Sequence, residues 1–282
     1  MKKSIVLSAT FPSSKTGAAG LEKALAILEP YNLPVIEYYV EDCGADQARA
    51  LLEGRESIFL SGALQKQKGL NPSSLDPAQR KTAVELLVES MRFAEQAGAK
   101  SVLVNSGPRP SDEKKDEQCL AYLMESLCQL HYAVKGLGIL LEPGDREVEY
   151  HHLIGHTPVA TQFIQDARRG IPDIGIVFDT SHIPQLGEEL YTAWEIAKQV
   201  CTHVHLANCS LVAGSPYYGD KHPPFGIPDG IYSHEDMLRF YNFLGEGDPS
   251  MTSGIEIILQ GNSEKDFFER IARETQWFFV KQ

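Results

Sequence analysis

Cysteine is scarce in this chain of 282 residues, and the five present, Cys43, Cys119, Cys128, Cys201 and Cys209, are odd in number and form no CxxC pair. A disulfide framework is not expected, and the thiols read as reduced ones in a cytoplasmic protein. Also missing is any apolar run near the roughly 18–20 residues a bilayer demands. The opening MKKSIVLSATFPSSK breaks its apolar stretch after a few positions, so neither a membrane span nor a secretory signal is expected. Basic residues are the minority, 26 Lys and Arg against 38 Asp and Glu, a formal net charge of −12. A field of that sign repels phosphate backbones, and no nucleic-acid partner is expected. The loop after the first apolar run, FPSSKTGAAG, carries neither GxGxxG nor a Walker pattern, which argues against a dinucleotide-binding open sheet. No repeat, low-complexity tract or Pro/Gly/Ser linker divides the chain, so a single domain over residues 1–282 is expected.

What is present is a recurring unit. Eight short runs rich in β-branched residues alternate with longer segments of helical character: SIVLSATF from Ser4, VIEYYV from Val35, SIFLSGA from Ser57, SVLVNSG from Ser101, GILLEPG from Gly138, IGIVFDTSH from Ile174, HVHLANC from His203 and GIEIILQG from Gly254. Most begin with three or four apolar residues and then turn abruptly polar, the pattern of buried strands whose C-terminal ends open into a polar site. Between them, Ala83, Leu87, Met91 and Ala94 fall at helical spacing, as do Leu120, Leu123, Met124, Leu127 and Val134. Ser73 or Ser74 ahead of Asp76 and Pro77 reads as a helix start, and Gly98 and Gly136 as stops. Eight strand-then-helix units in this length predict a single (β/α)8 TIM barrel, with the active site at the C-terminal strand ends.

The polar residues at those ends can be tallied as one site. The fifth run ends in Glu142, the sixth in Asp179 followed by His182, the seventh carries His205, and the eighth holds Glu256 inside the otherwise apolar GIEIIL. Three carboxylates focused on a low-dielectric centre repel one another by several kcal/mol unless protonated or bound to a cation. A divalent ion is the economical explanation, and three hard oxygen donors with one imidazole suit Mn²⁺, Mg²⁺, Co²⁺ or Zn²⁺. Taken singly, each residue is as well explained as an ordinary loop-mouth polar group. Period-two alternation puts Gly254, Glu256 and Ile258 on one face, and His203 beside His205. His203 competes for the ligand role, although its position one layer lower favours a hydrogen-bonded core histidine.

LLEPGD, FDTSH, VHLAN, GDKHPPFGIPDG and GIEI, in this order, resemble the xylose isomerase-like barrel superfamily, which includes sugar isomerases and epimerases and the abasic-site endonucleases. The resemblance implies that Glu142, Asp179, His205 and Glu256 hold one divalent ion, and that Glu142 and Glu256 act as acid and base on a carbon next to a carbonyl. His182 is expected to donate to the developing oxyanion. Its alternative is a helix cap at Ile183. In GDKHPPFGIPDG, the endonuclease branch implies a second ion on His182, Asp220 and His222, whereas the isomerase branch implies a loop closing over a sugar, with Lys221 and His222 touching substrate. HPPFG favours the latter. The endonuclease branch also implies two more histidines at the third and fourth strand ends, where this chain has Ser61 and Gly62, and Asn105 and Ser106.

Asn105 and Arg109 in VNSGPRP are expected to bind substrate hydroxyls or a carboxylate. Tyr150, His151, His152 and His156 lie in a long loop that reads as surface or lid. Trp194, Trp277, Phe278 and Phe279 read as packing residues in helical segments. The expectation is a divalent-metal-dependent sugar or hydroxy-carbonyl isomerase or epimerase working through an enediolate on a small carbohydrate-like substrate, with a homo-oligomer left open. The other readings are a keto-polyol dehydratase on the same site, a metal-dependent endonuclease of the abasic-site type, and a noncatalytic sugar-binding barrel. The last would show a decayed ligand set, and this one is intact.

Overall fold

Apolar runs without polar alternation need cover on both faces, which parallel strands backed by helices provide. In the computed structural model, which describes residues 1–245 and 251–281, the runs become β1 (Lys2–Ile5), β2 (Val35–Tyr38), β3 (Glu56–Leu60), β4 (Ser101–Asn105), β5 (Gly138–Glu142), β6 (Ile174–Asp179), β7 (Cys201–Leu206) and β8 (Thr252–Ile255). With helices between successive strands, the architecture is a (β/α)8 barrel. Among the described residues no helix is long and apolar enough to cross a membrane. All five cysteines are among the described residues and none is in a disulfide.

The chain comprises two compact units, Met1–Ser57 with Val204–Gln282, and Ile58–His203. In the first, β1 pairs in parallel with β8, in the register Ser4 to Gly254 and Ile5 to Ile255. Val6, just past β1, bridges to Glu37 on β2. In the second, β3, β4, β5 and β6 pair consecutively in parallel, and Asn105 stands opposite Glu142. The helix Pro77–Gln96 covers this unit with the expected stripe, since Ala83, Leu87, Met91 and Ala94 are all fully buried. Its N-cap is Asp76, whose carboxylate accepts from the Ala78 amide at 2.8 Å with Pro77 in the first turn; Ser74 only supports the cap, accepting from the Asp76 amide.

Three expectations about element ends are corrected. The first run does not stay extended through Phe11: β1 stops at Ile5 and Leu7–Thr10 coils into a helical turn, held by the Phe11 amide on the Leu7 carbonyl and Thr10 Oγ1 on the Ile257 carbonyl. β8 ends at Ile255, so Glu256 stands just beyond the strand; Ile258 is 38% exposed and its amide binds the His222 carbonyl, which ends the alternation. Trp277, Phe278 and Phe279 follow the helix Glu264–Glu274 in a turn, where Phe278 and Phe279 are buried. Trp194, in the helix Leu190–Ala197, packs edge-on against Phe178.

Beyond β5 the chain is organised by one buried carboxylate. Asp145, fully buried, accepts from the amides of Val148, Glu149 and Tyr150 at 2.7–2.8 Å. The loop so formed meets the one after β4: the His151 carbonyl accepts from the Arg109 amide, the Gly107 carbonyl from Leu153, and Ser106 Oγ from Ile154. Burial disfavours the charged form of Asp145, but the amides of Glu149, Tyr150 and Val148, with His182 nearby, outweigh it and hold the carboxyl below the usual aspartate value of 3.8. A carboxyl depressed on folding contributes stability above its unfolded pKa and loses it as the pH falls through the folded one. The Asp145→Asn variant is therefore expected to be less stable by about 2 kcal/mol near pH 7, since it forfeits charge-assisted bonds. The gap in melting temperature from wild type should narrow below pH 3.8. A gap that stays constant from pH 7 to pH 3 would refute this account.

Candidate active site

In the unit containing β1, β2 and β8, a carboxylate on a buried strand has to be satisfied from within. Glu37, in the middle of β2, is fully buried: Oε1 accepts from Ser4 Oγ at 2.6 Å, and Oε2 lies 2.8 Å from His205 Nε2. The other imidazole nitrogen, Nδ1, lies 2.9 Å from Glu256 Oε2. Glu256 Oε1 is 3.4 Å from His222 Nδ1, and His222 Nε2 is 2.5 Å from Asp220 Oδ1. Desolvation opposes ionisation of Glu256, yet His222 and His205 outweigh it and hold its carboxyl well below the usual range. Glu256 is thus a carboxylate at neutral pH, available as a ligand or as a proton acceptor.

His222 is 4% exposed and sits at φ +36°, a left-handed backbone position rare for a side chain of this size. Its segment is anchored by Asn208, fully buried, whose Nδ2 donates to the carbonyls of Pro224 and Tyr232 and whose Oδ1 accepts from the amides of Cys209 and Tyr232. Gly230 makes this possible, because a Cβ there would lie 2.6 Å from Asn208 Nδ2. Lys221, next to His222, is exposed.

In the unit spanning β3 to β6, Asp179 closes a strand buried at every position, and its Oδ1 accepts from the Ser181 amide at 2.6 Å. His182 is buried and opens a four-residue helix whose N-cap is Ser181, so the turn starts one residue earlier than Ile183 and the His182 side chain is not its cap. Donor atoms of Asp179 lie within 4.8 Å of those of both Glu142 and His182. At the end of β4, Asn105 Nδ2 points to Glu142 Oε2 at 3.4 Å. Gln65 grips the Asn105 peptide from both sides, accepting from its amide at 2.8 Å and donating to its carbonyl at 3.0 Å. Gly62 leaves space for the Asn105 amide, since a Cβ there would lie 2.2 Å from Oδ1. The guanidinium of Arg109 engages Glu113 and Glu147 at 2.8–3.1 Å, ion pairs between neighbouring loop residues. Of the histidines beyond β5, His151 and His156 are exposed.

Sequence reasoning overlooked Glu37, Asn208 and Gln65. The signal for Glu37 was available: VIEYYV sets a carboxylate between apolar neighbours on a strand, the same anomaly that singles out Glu256. For Asn208 and Gln65 nothing local marks the partner backbone.

These residues suit a divalent cation. Carboxylate and imidazole donors make a hard-to-borderline set. Two ionised carboxylates with oxygens no more than 4.8 Å apart, as those of Glu142 and Asp179 are, repel by about 3 kcal/mol or more at an effective dielectric near 20 before solvent screening. A cation between them removes that cost. His205 Nδ1 and Glu256 Oε2 lie 2.9 Å apart, close enough for both to turn to one ion once the proton between them is displaced.

Comparison with known proteins bears on the fold. No curated protein matches the sequence. Among solved structures, D-allulose 3-epimerase from Methylomonas sp., in complex with D-allulose, superposes with a TM-score of 0.72 at 15% identity, covering 99% of this chain and 97% of the other. An AP endonuclease, family 2, from Brucella melitensis gives 0.71 at 14% identity over 97% and 99%. The IOLI protein with a binding zinc atom gives 0.71 at 14% identity over 99% and 100%. At these identities the likeness speaks for the architecture. The family model of the xylose isomerase-like TIM barrel matches residues 13–247, and the chain belongs to that family.

Proposed function

We propose that the protein is a divalent-metal-dependent isomerase or epimerase of a sugar or related hydroxy-carbonyl compound, with Glu142, Asp179, His205 and Glu256 as the ligands of one Mn²⁺, Zn²⁺, Co²⁺ or Mg²⁺ ion. One observation carries the reading: each of the two glutamates stands beside a further ligand, Glu142 beside Asp179 and Glu256 beside His205. Strand ends of a (β/α)8 barrel share one mouth, which supports treating the four as a single set. The solved epimerase structures and the zinc of the IOLI structure support the same chemistry.

When bound, the ion would polarise a carbonyl and offset negative charge as it develops on oxygen. The rest falls to side chains. One glutamate takes the proton from the carbon next to the carbonyl, leaving an enediolate. The other returns a proton to the opposite face, which inverts the carbon, or to the adjacent carbon, which isomerises the sugar. Strands five and eight are not neighbours in an eight-stranded ring, so carboxylates on them approach a ligand from different directions. Glu256, ionised at neutral pH, is in the form that can accept a proton. His182 donates to the enediolate oxygen, while Asn105, Lys221 and His222 hydrogen-bond substrate hydroxyls, and Arg109 can do so on leaving its loop partners. The same proton abstraction would begin a dehydration of a keto-polyol.

With a turned-over ketose in D₂O, solvent deuterium is expected at the carbon next to the carbonyl. Glu142→Gln and Glu256→Gln should each lose about 10²–10⁴-fold in turnover, or more where the ion is lost too. Elemental analysis should find about one ion per wild-type chain and less in Glu256→Gln, whereas His182→Asn should keep the ion and turn over more slowly. Full metal content in both glutamine variants, or a label that migrates between carbons without solvent exchange, would overturn the assignment.

The endonuclease reading draws on the close Asp220–His222 pair and on the family 2 AP endonuclease likeness. Against it stand the net charge of −12 and the non-histidine ends of β3 and β4, where the Gly62 site has no room for a side chain beside Asn105. A duplex carrying an abasic site should remain intact in a gel assay with metal-loaded protein. Nicking that disappears in His222→Ala would instead establish the hydrolase.

A further inference from the structure

Glu37 stands outside the four-residue ligand set, yet it is a carboxylate wholly enclosed by protein. It is fully buried on β2, and its two oxygens have distinct partners: Ser4 Oγ on Oε1 at 2.6 Å and His205 Nε2 on Oε2 at 2.8 Å. An ionised carboxylate only accepts hydrogen bonds, so the hydrogen between Glu37 and His205 resides on Nε2. By the same rule Nδ1, 2.9 Å from Glu256 Oε2, carries a proton that a cation seated between the two would displace, and it is then the Nδ1 electron pair that the cation takes. The seat is shaped by a missing side chain. Gly254 pairs with Ser4 across β1 and β8, and a Cβ at position 254 would lie 2.1 Å from Glu37 Oε1 and 2.6 Å from Ser4 Oγ. Neither oxygen could keep its place beside an alanine.

We propose that Glu37, seated on Ser4 and given room by Gly254, is the positioning residue that fixes the His205 imidazole with Nδ1 as its metal-ligating nitrogen. The inference rests on the metal site proposed above and adds a carboxylate–imidazole–metal relay to it. Such a carboxylate sets the tautomer and ring orientation and raises ligand basicity, and its loss typically weakens metal affinity about 10–100-fold. A merely structural ion pair would behave differently, because a glutamine of the same shape would then leave metal affinity unchanged.

The test uses Zn²⁺ on the full chain, with affinity measured by chelator competition and the His205 ring nitrogens read by ¹⁵N NMR of the zinc-loaded protein. Glu37→Gln and Gly254→Ala are expected to weaken zinc binding by about 10–100-fold, and Ser4→Ala, which removes one hydrogen bond, by about 5-fold. In the wild type, Nδ1 should carry the zinc signature and Nε2 the N–H. Wild-type zinc affinity in Glu37→Gln, or zinc on Nε2, overturns the inference. Should Glu37→Gln fail to fold, the wild-type nitrogen assignment and Ser4→Ala decide. His205→Ala separates the two claims. Undiminished zinc affinity in that variant removes the proposed metal site and this inference with it, whereas loss of zinc in His205→Ala alongside full affinity in Glu37→Gln removes the inference alone.

Discussion

An imidazole held between two carboxylates is the constraint around which the unit with β1 and β8 is arranged. His205 is 1% exposed and meets Glu37 on one nitrogen and Glu256 on the other. Burying one of these groups alone would be costly, and the three are tolerable together only because each supplies what the next lacks. Their demands reach outward. Glu37 requires Ser4 as a second donor, the Ser4–Glu37 pair requires glycine at 254, and the register of β1 on β8 sets Gly254 opposite Ser4. The backbone pairing of two strands is thereby tied to the chemistry of one ring.

The second unit solves a related problem with the main chain. Asp179 is steadied by the Ser181 amide, Asp145 by three consecutive loop amides, and Asn105 by a glutamine gripping its peptide from both sides. Backbone donors fixed by local turns resist rearrangement better than long side chains, whose rotamer entropy opposes being held. Where side chains do provide the tie, as for Arg109 with Glu113 and Glu147, the carboxylate partners are exposed and the pairs lie open to screening.

The barrel could be read from the sequence because its strands are short apolar blocks that end abruptly in polar residues: GILLE and IGIVFD announce both a buried strand and the residue that leaves it. The same legibility failed at Glu256. An apolar GIEIIL implied a longer strand, whereas the strand stops at Ile255: the Glu256 amide still binds the Leu206 carbonyl of β7, but the amides of Ile258 and Leu259 bind the carbonyls of His222 and Ala9. Glu37 escapes the strand-end pattern because it lies within β2 and not at its polar exit. Asn208 and Gln65 were beyond reach for a deeper reason: their partners are backbone groups distant in sequence, and main-chain donors and acceptors are the same at every residue type except proline.

The backbone of His222 has an implication for anyone seeking a more heat-resistant form of this protein. A left-handed φ of +36° at a buried residue costs on the order of 1 kcal/mol or more, and glycine is the residue that would relieve it. A design procedure that ranks substitutions by backbone comfort alone would therefore favour His222→Gly. It would erase the imidazole standing between Asp220 and Glu256. At this position conformational ease and chemical equipment pull in opposite directions, and thermostabilising libraries for this barrel should hold residue 222 fixed.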